Sequence, residues 1–206
     1  ARVRFALDQF IKEDYFLPVS DTYHLIEKED SGRSELIVHV QNENLCICNF
    51  DGPQKGKCNF LRQEKKYGLQ KSVDHVLFEH MEAGWRLHLF EMKSGVGYKT
   101  WQESIKPKVR TSYFTALAIA EFLGIRICEC IVYTTYENEK FNMVNQGTNP
   151  KTMIPRLGCA ARDPYEDEWK KNRIILNVGT ELELLHNKVK MKRNPVSEVF
   201  EETLTI

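Results

Sequence analysis

The sequence predicts one α/β domain built on a mixed central sheet flanked by helices, and three observations lead to this fold class. Two strand-like runs, residues 73–78 and 87–93, lie on either side of the turn Glu82-Ala83-Gly84. Residues 98–124 have a mostly helical pattern. Residues 126–135 are again apolar and strand-like. We therefore expect a hairpin followed by a helix that crosses over to a further, parallel strand.

The composition is that of a globular protein. The chain has 206 residues, of which 42% are hydrophobic and 28% are charged. It contains no apolar run that approaches the length of a membrane span, so no membrane partner is expected. The formal net charge is zero, which argues against strong, nonspecific binding of nucleic acid by the whole surface. A charged ligand would therefore have to bind a local patch.

The N-terminal part is predicted to hold two helices and a hairpin. Apolar residues recur at helical spacing in 3–15, and 22–28 fits a second short helix. Residues 35–40 and 45–50 have strand-like patterns and are joined by Asn42-Glu43-Asn44. We expect these two strands to pair across that turn.

The central hairpin carries charges within apolar surroundings. Side chains alternate along a strand, so Asp74, Glu91 and Lys93 share one face. A turn at Ala83-Gly84 sets Asp74 opposite Lys93, whereas a turn at Glu82-Ala83 sets it opposite Glu91. Buried charges are unfavourable unless they are paired or bind a metal. Two carboxylates can hold Mg²⁺ and leave most of its shell to water and phosphate, while a neighbouring lysine orients a water.

Two segments of this hairpin resemble the PD-(D/E)XK nuclease superfamily. They are Val73-Asp74-His75-Val76, with aspartate at the start of a strand, and Phe90-Glu91-Met92-Lys93-Ser94-Gly95, with Glu-x-Lys near the end of the next. The following helix and strand also fit, so the resemblance covers roughly residues 66–135. Val73 stands where the motif name has proline. The other interpretation of these residues is a hairpin with an ordinary cross-strand ion-pair cluster.

The resemblance implies a restriction-endonuclease-like core at about 60–135 of a single nuclease-like domain, 1–206, with N-terminal helices and hairpin at 1–58 and a C-terminal extension at 136–206. The implied activity is metal-dependent hydrolysis of phosphodiester bonds, with DNA favoured over RNA. The alternative is a catalytically inactive module of this fold that binds nucleic acid or a protein partner. A homodimer or a larger defence or repair complex would suit either function.

The resemblance also implies roles for individual residues. Asp74 and Glu91 would bind Mg²⁺ or Mn²⁺, helped by the backbone carbonyl of Met92. Lys93 would position the nucleophilic water and stabilise the transition state. Many members of the superfamily add a glutamate from a helix that precedes the aspartate strand, and we assign this role to Glu64. The other candidates lie farther upstream: Glu27, Glu29 and Glu35.

Basic residues cluster on both sides of the hairpin. Those predicted to contact nucleic-acid phosphates are Lys66, Lys71, Lys99, Lys106, Lys108 and Arg110. The alternative for each is a solvated surface position. A third basic cluster, expected to face solvent, consists of Lys188, Lys190, Lys192 and Arg193.

Local pattern also predicts the remaining segments. Pro107 is expected to divide or kink the helix that follows the hairpin, and Gly124 to end it. Residues 138–162 are polar and contain several turn formers, which predicts a long loop or a poorly regular insertion and makes this segment a candidate for a substrate-facing flap. The rest is predicted to form two strands, at 173–178 and 181–189, and a loose tail, at 194–206.

Cysteine and histidine spacing does not predict a zinc site. Cys46/Cys48 and Cys128/Cys130 are each separated by one residue, which is shorter than zinc-knuckle spacing. We expect all six cysteines to be free thiols, which indicates a reducing, intracellular compartment. His75 and His88 lie near the acids in sequence, but strand alternation turns them to the opposite face.

Overall fold

The structure is a computed structural model that describes residues 2–12, 14–29, 32–52, 55, 68–141, 164–195 and 199–206. The helices are α1 (Arg2–Gln9), α2 (Tyr98–Thr100), α3 (Lys106–Leu123) and α4 (Pro164–Lys170), with a π-helical segment at Trp101–Ile105. The strands are β1 (Thr22–Glu29), β2 (Gly32–His39), β3 (Asn44–Ile47), β4 (His75–Met81), β5 (Gly84–Met92), β6 (Gly95–Val96), β7 (Ile127–Tyr136), β8 (Asn138–Glu139), β9 (Arg173–Asn177), β10 (Glu181–Lys190), β11 (Lys192–Arg193) and β12 (Phe200–Thr205). Within the described ranges, no helix has the length and apolar character needed to cross a membrane.

The larger sheet has six strands in the order β3-β4-β5-β7-β10-β9. β4 is antiparallel to both β3 and β5, so the predicted central hairpin is confirmed. β7 is parallel to β5 and to β10, and β9 is antiparallel to β10. The chain passes from β5 to β7 through α3, which is the expected crossover. The fold is therefore α/β with a mixed sheet.

A second sheet contains four strands in the order β1-β2-β12-β11. β1 occupies the segment predicted to be the second helix, so that prediction is wrong. Its Tyr23 and Leu25 are buried in a period of two, and the whole strand pairs antiparallel with β2. So short a segment also fits two turns of helix, and only the pairing with β2 decides between the two structures.

Two further predictions about strand pairing are wrong. The runs at 35–40 and 45–50 do not form a hairpin, because β2 pairs with β1 and β12 while β3 pairs with β4 in the other sheet. The predicted loose tail at 194–206 contains β12, which is parallel to β2 along Phe200–Thr205. Its partner strand lies near the other end of the chain, so no local pattern could identify the pairing.

The two sheets and the helices form three layers. Leu89 of β5 packs in the same core as Ala120 of α3, whereas the next residue, Phe90, packs with Leu25 of β1. Neighbouring residues of a strand face opposite ways, so β5 contributes to both cores. The helices of the described residues contribute only to the first core. Helices therefore flank the central sheet on one face and the second sheet covers the other.

The helical stretch after the hairpin positions one important lysine. Pro107 lies in the first turn of α3, where a missing N–H is tolerated. The backbone stays right-handed helical through Ile105 and Lys106, so the expected division appears only as a change from π-helix to α-helix. Gly124 ends α3 as predicted, with a left-handed φ of 67°. Lys108 consequently lies at the end of α3 that is nearest to the C-terminal end of β5.

Candidate functional site

The register of the central hairpin brings the two predicted acids together. The strands pair in the register of a Glu82-Ala83 turn, which sets Asp74 opposite Glu91. The backbone N–H of Asp74 donates to the Phe90 carbonyl over 3.1 Å. The N–H of Met92 donates to Asp74 Oδ2 over 2.5 Å, so the carboxylate is itself tied to the neighbouring strand. Of the two registers that the sequence left open, the structure has the one that places the two carboxylates opposite each other.

Glu91 is the most deeply buried member of the pair. It is 0% exposed, compared with 2% for Asp74. Burial and the charge of Asp74 raise the pKa of Glu91 to about 7, although Lys108 and Lys93 oppose this rise. Its Oε2 atom has no hydrogen-bond partner among the described residues. This carboxylate therefore carries an unsatisfied, buried acceptor atom, which calls for a further ligand.

Lys108 lies between the two acids, a position that the sequence did not predict. Its Nζ is 3.0 Å from Asp74 Oδ1 and 2.9 Å from Glu91 Oε1. Burial by itself would lower the pKa of Lys108, but Glu91 and Asp74 together raise it above its ordinary value. We predicted a phosphate contact for this lysine, and the structure instead directs its ammonium at the acids.

Lys93 is the second ammonium of the cluster, and it is exposed to about the same extent as Lys108. Its Nζ lies 2.8 Å from Glu91 Oε1 and donates to the Met92 carbonyl over 3.0 Å. Its side chain is 18% exposed, whereas that of Glu91 is 0% exposed. The expected grouping of Asp74, Glu91 and Lys93 on one face is therefore present. The cluster, which we call the acid–lysine cluster, consists of these three residues and Lys108.

The acid–lysine cluster has the donor chemistry of a magnesium site. Asp74 and Glu91 offer carboxylate oxygens, and the Met92 carbonyl lies next to them. The free Oε2 of Glu91 is a buried oxygen that a cation would satisfy. In the part of the chain that the structure describes, no group of three or more His, Cys, Asp or Glu residues is arranged to hold a metal ion. The residues fit a divalent ion provided that the Lys108 ammonium gives up its position between the acids.

A third carboxylate, on the second sheet, interacts electrostatically with the cluster. Burial, followed by the charges of Asp74 and Asp51, raises the pKa of Glu27 on β1. Glu27 is therefore close enough to Asp74 to interact with it electrostatically. Glu64, which we preferred for an additional acidic ligand, lies outside the described residues. Glu27 was among the upstream candidates, but its segment was predicted as a helix and not as the strand β1.

Glu91 belongs to a row of paired residues that crosses the larger sheet from β5 to β10. Glu91 on β5 pairs with Thr134 on β7, and Thr134 pairs with Lys188 on β10. Lys188 was expected to face solvent, but it is only partly exposed and its Nζ lies 5.4 Å from the centroid of the Trp169 ring. Parallel pairing of β7 with β10 decides this position, and the sequence offers no local signal for it.

A buried histidine lies in the same layer. His186 Nε2 is 2.9 Å from Thr134 Oγ1, and Trp101 and Trp169 flank the imidazole at centroid distances of 4.9 and 5.2 Å. Burial, helped by the charge of Lys188, lowers the pKa of His186 to about 3, so the ring is neutral at physiological pH. No local pattern in the sequence groups this histidine with Glu91.

The other predicted phosphate contacts are not gathered at the acids. Lys71 Nζ donates to the Glu103 carbonyl over 2.5 Å, and Lys106 pairs with Glu168 at 2.9 Å. Arg110 donates to the Asn177 carbonyl over 3.5 Å. Lys99 is exposed, and Lys66 lies outside the described residues. The predicted loop at 138–162 also falls largely outside the described residues.

The expected orientation of the neighbouring histidines is confirmed. His88 lies between the sheets, where its Nε2 is 3.0 Å from Glu79 Oε2 and its Nδ1 is 3.2 Å from the Tyr133 hydroxyl. His75 Nδ1 accepts from the backbone N–H of Asn49 over 3.3 Å. Neither ring lies on the face of the acid–lysine cluster.

The geometry therefore defines a buried pair of carboxylates closed off by two ammonium groups. Such a site can exchange an ammonium for a divalent cation, and its exposed side carries positive charge toward an incoming anion. Comparison of the chain with protein-family models, with curated proteins and with solved structures found no match in any of the three.

Proposed function

We propose that this protein is a metal-dependent nuclease with a restriction-endonuclease-like core, acting on DNA in preference to RNA. The observation that carries the proposal is the buried, facing pair Asp74 and Glu91 with the ammonium groups of Lys93 and Lys108 against it. A structural ion pair needs only one acid, and a second buried acid beside the first disfavours both charges. Arrangements of this kind, with a strongly shifted pKa, are concentrated at functional sites.

The order of the elements supports the same proposal. The resemblance implies an aspartate strand, a Glu-x-Lys strand, a helix and a further strand, and the chain supplies β4, β5, α3 and β7 in that order. Asp74 immediately precedes β4, and Glu91 lies one residue before the end of β5. The covering of one sheet face by a second sheet is a departure from a core flanked by helices.

Asp74, Glu91 and the Met92 carbonyl would hold the ion. Mg²⁺ and Mn²⁺ accept oxygen ligands, and Mg²⁺ keeps several waters, so a small number of protein ligands is sufficient. When bound, the ion supplies Lewis acidity toward the phosphate and lowers the pKa of a coordinated water. Because the pKa of Glu91 is raised to about 7, metal binding should strengthen as the pH increases through neutrality and the carboxylate becomes charged.

The two lysines have different roles in this proposal. Lys93 is the lysine of the Glu-x-Lys segment, and its partly exposed ammonium lies 2.8 Å from Glu91 Oε1, where an approaching phosphate would meet it. There it holds the attacking water and stabilises the negative charge that develops on the phosphate. Lys108 neutralises the two acids. If the acids held a divalent ion, the displaced Lys108 ammonium would be available to the phosphate as a second cation.

A second candidate function is a catalytically inactive module of the same fold that binds nucleic acid or a protein partner. One observation favours it, namely the Lys108 ammonium between Asp74 and Glu91. An ammonium at 2.9–3.0 Å from both acids neutralises the pair as a resident cation would, without Lewis acidity. If the ammonium never leaves, the protein keeps the architecture of the site but not its reaction.

Cleavage of labelled DNA and RNA, single- and double-stranded, with Mg²⁺, Mn²⁺ or EDTA, tests the proposal. Wild-type protein should cleave with metal but not in EDTA, and Asp74→Asn and Glu91→Gln should lose cleavage. Glu168→Gln is a matched control, because Glu168 is also buried and pairs with a lysine of α3, away from the cluster. The Glu168→Gln variant should retain cleavage, provided that circular dichroism shows that it is folded.

The results separate the two candidates. Metal-dependent cleavage that survives both Asp74→Asn and Glu91→Gln would contradict the assigned site. Binding of nucleic acid without cleavage under any metal condition would favour the inactive module. If calorimetry shows no metal binding and no cleavage is observed, these residues form an ordinary structural ion-pair cluster, and both candidate functions of the site are contradicted.

A further inference from the structure

Cys46 and Cys48 form a pair of thiols on the side of the larger sheet away from the acid–lysine cluster. Their sulfur atoms are 4.0 Å apart. Cys46 is 1% exposed, whereas Cys48 is only partly buried and open to small molecules. A disulfide has a sulfur–sulfur distance of about 2.05 Å, so closing the pair requires a relative movement of about 2 Å.

The surroundings of Cys48 favour a thiolate. Continuing the β3–β4 register beyond Ile47 sets Cys48 opposite His75, and Lys55 Nζ donates to the Cys48 carbonyl over 3.4 Å. The hydrogen bond from Cys46 lowers the pKa of Cys48 to about 5 against the effect of burial, with further help from His75 and Lys55. The same interaction and burial raise the pKa of Cys46. One member of the pair is therefore nucleophilic and the other stays protonated.

We infer that Cys46 and Cys48 form a peroxide-reactive dithiol that closes reversibly to a disulfide. The Cys48 thiolate attacks one oxygen of a hydroperoxide, the O–O bond breaks, and the departing alkoxide or hydroxide takes a proton. The Cys48 sulfenic acid then reacts with the Cys46 sulfur, so that the S–O bond breaks and water leaves with the Cys46 proton. Two thiols are oxidised by two electrons, and one hydroperoxide is reduced to an alcohol, or water, plus one water.

Closure of the pair acts on the strand that begins after Asp74. The two residues after Cys48 make hydrogen bonds to the start of this strand. The backbone N–H of Asn49 donates to His75 Nδ1 over 3.3 Å, and the backbone N–H of Phe50 donates to the Asp74 carbonyl over 2.7 Å. Asn49 also has a positive φ of 52°, an uncommon backbone conformation that these contacts help to hold. A shift of Cys48 toward Cys46 strains both hydrogen bonds. The inference stands apart from the nuclease proposal, because it concerns only the thiols and their backbone contacts.

Stoichiometric hydrogen peroxide on the reduced full chain, followed by alkylation and peptide mass mapping, tests the inference. The peptide containing Cys46 and Cys48 should lose two hydrogen atoms and both alkylation sites, and dithiothreitol should restore them. Cys128 is the internal control, because it is exposed and its thiol donates to the Trp85 carbonyl over 3.2 Å. It should still be alkylated, and hydrogen exchange at Asn49 and Phe50 should become faster on oxidation.

Two variants report the order of the steps. Cys46→Ser should trap a sulfenic acid on Cys48, detected as a dimedone adduct, while Cys48→Ser should leave Cys46 unoxidised. Oxidation of Cys128 before the pair, or conversion of Cys48 to sulfinic acid with Cys46 still reduced in wild-type protein, would overturn the inference. The wild-type measurement decides the question even if a variant fails to fold.

Discussion

Replacing Lys108 with methionine removes the ammonium between the two acids while it keeps much of the side-chain volume. In the wild type, the ammonium is the cation that a divalent ion must displace. The variant leaves Asp74 and Glu91 facing Lys93 as the remaining ammonium of the cluster. We therefore expect Lys108→Met to be less stable than the wild type without metal, and to bind Mn²⁺ more tightly.

The contact distances determine the expected magnitude. Lys108 Nζ lies 3.0 Å from Asp74 Oδ1 and 2.9 Å from Glu91 Oε1. At about 3 Å and an effective dielectric constant of about 20, each contact has roughly 5 kcal/mol of Coulomb energy, much of which offsets desolvation of the ammonium. Breaking a buried pair of this kind lowers the free energy of unfolding by about 3–5 kcal/mol.

The gain in metal affinity follows from the same energy. If the displaced ammonium accounts for about 3 kcal/mol, its removal lowers the Kd for Mn²⁺ by about a hundredfold, since 1.36 kcal/mol is tenfold. Loss of Lys108 also raises the pKa of Glu91 above its value of about 7, so a proton competes with the metal. At pH 8 we expect the Kd to fall by between about tenfold and a hundredfold.

Isothermal titration calorimetry with Mn²⁺ and urea denaturation in EDTA measure the two effects. Lys106→Met is the matched control, because Lys106 is 18% exposed compared with 17% for Lys108 and pairs with Glu168 at 2.9 Å. The control should lose stability without a change in Kd for Mn²⁺. An unchanged or weaker Mn²⁺ affinity in Lys108→Met, or equal tightening in Lys106→Met, would refute the displacement argument.

Three further predictions concern individual residues. Lys93→Met should slow cleavage about a thousandfold, which corresponds to about 4 kcal/mol of lost transition-state stabilisation, while Mn²⁺ binding is retained. Single-turnover rates measure this effect. If the variant cleaves at the wild-type rate, Lys93 is not catalytic. The pKa of Glu91 is about 7 in the folded protein, whereas its ordinary value is 4.5, so the folded state binds the proton more tightly than the unfolded state does. The free energy of unfolding should therefore fall by about 3 kcal/mol as the pH rises from 4.5 to about 7. Glu91→Gln should abolish that fall in urea titrations in EDTA, and an unchanged pH profile would contradict the assignment. The pKa of His186 is about 3 in the folded protein, whereas its ordinary value is 6.5, so the unfolded state binds the proton more tightly than the folded state does. The free energy of unfolding should therefore fall by about 5 kcal/mol as the pH drops from 6.5 to about 3. His186→Gln should flatten this acid limb in urea titrations, whereas an unaltered limb would place the acid sensitivity elsewhere.

Local sequence pattern was sufficient for the central hairpin and for the elements that follow it. The strands at β4 and β5, the helix ending at Gly124 and the strands β7, β9 and β10 agree with their predictions. These segments are apolar runs bounded by turn formers or ended by a terminating residue, and those boundaries distinguish helix from strand even where the run is short. The shared face of Asp74, Glu91 and Lys93 follows from strand alternation alone.

The pairing of strands was not decided by the local sequence pattern. β1 was predicted as a helix and β12 as a loose tail, and both became strands only through hydrogen bonds to β2. The turn register was left open between two alternatives, and the β4–β5 pairing selected the one with Asp74 opposite Glu91. In each case the local preference was too weak to decide, and pairing with another strand supplied the difference. That strand is the next or previous one along the chain for β1 and β5, and a distant one for β12.

The sequence by itself determined which residues can form the acid pair, because a period of two fixes the face of every side chain along a strand. The tertiary structure decided what lies against that pair. Lys108 reaches the acids because α3 begins beside the end of β5, and Glu27 of β1 interacts electrostatically with Asp74 although the two residues belong to different sheets. Those positions depend on how separate elements pack, and the free energy of burying two facing carboxylates is set by these neighbours rather than by the hairpin.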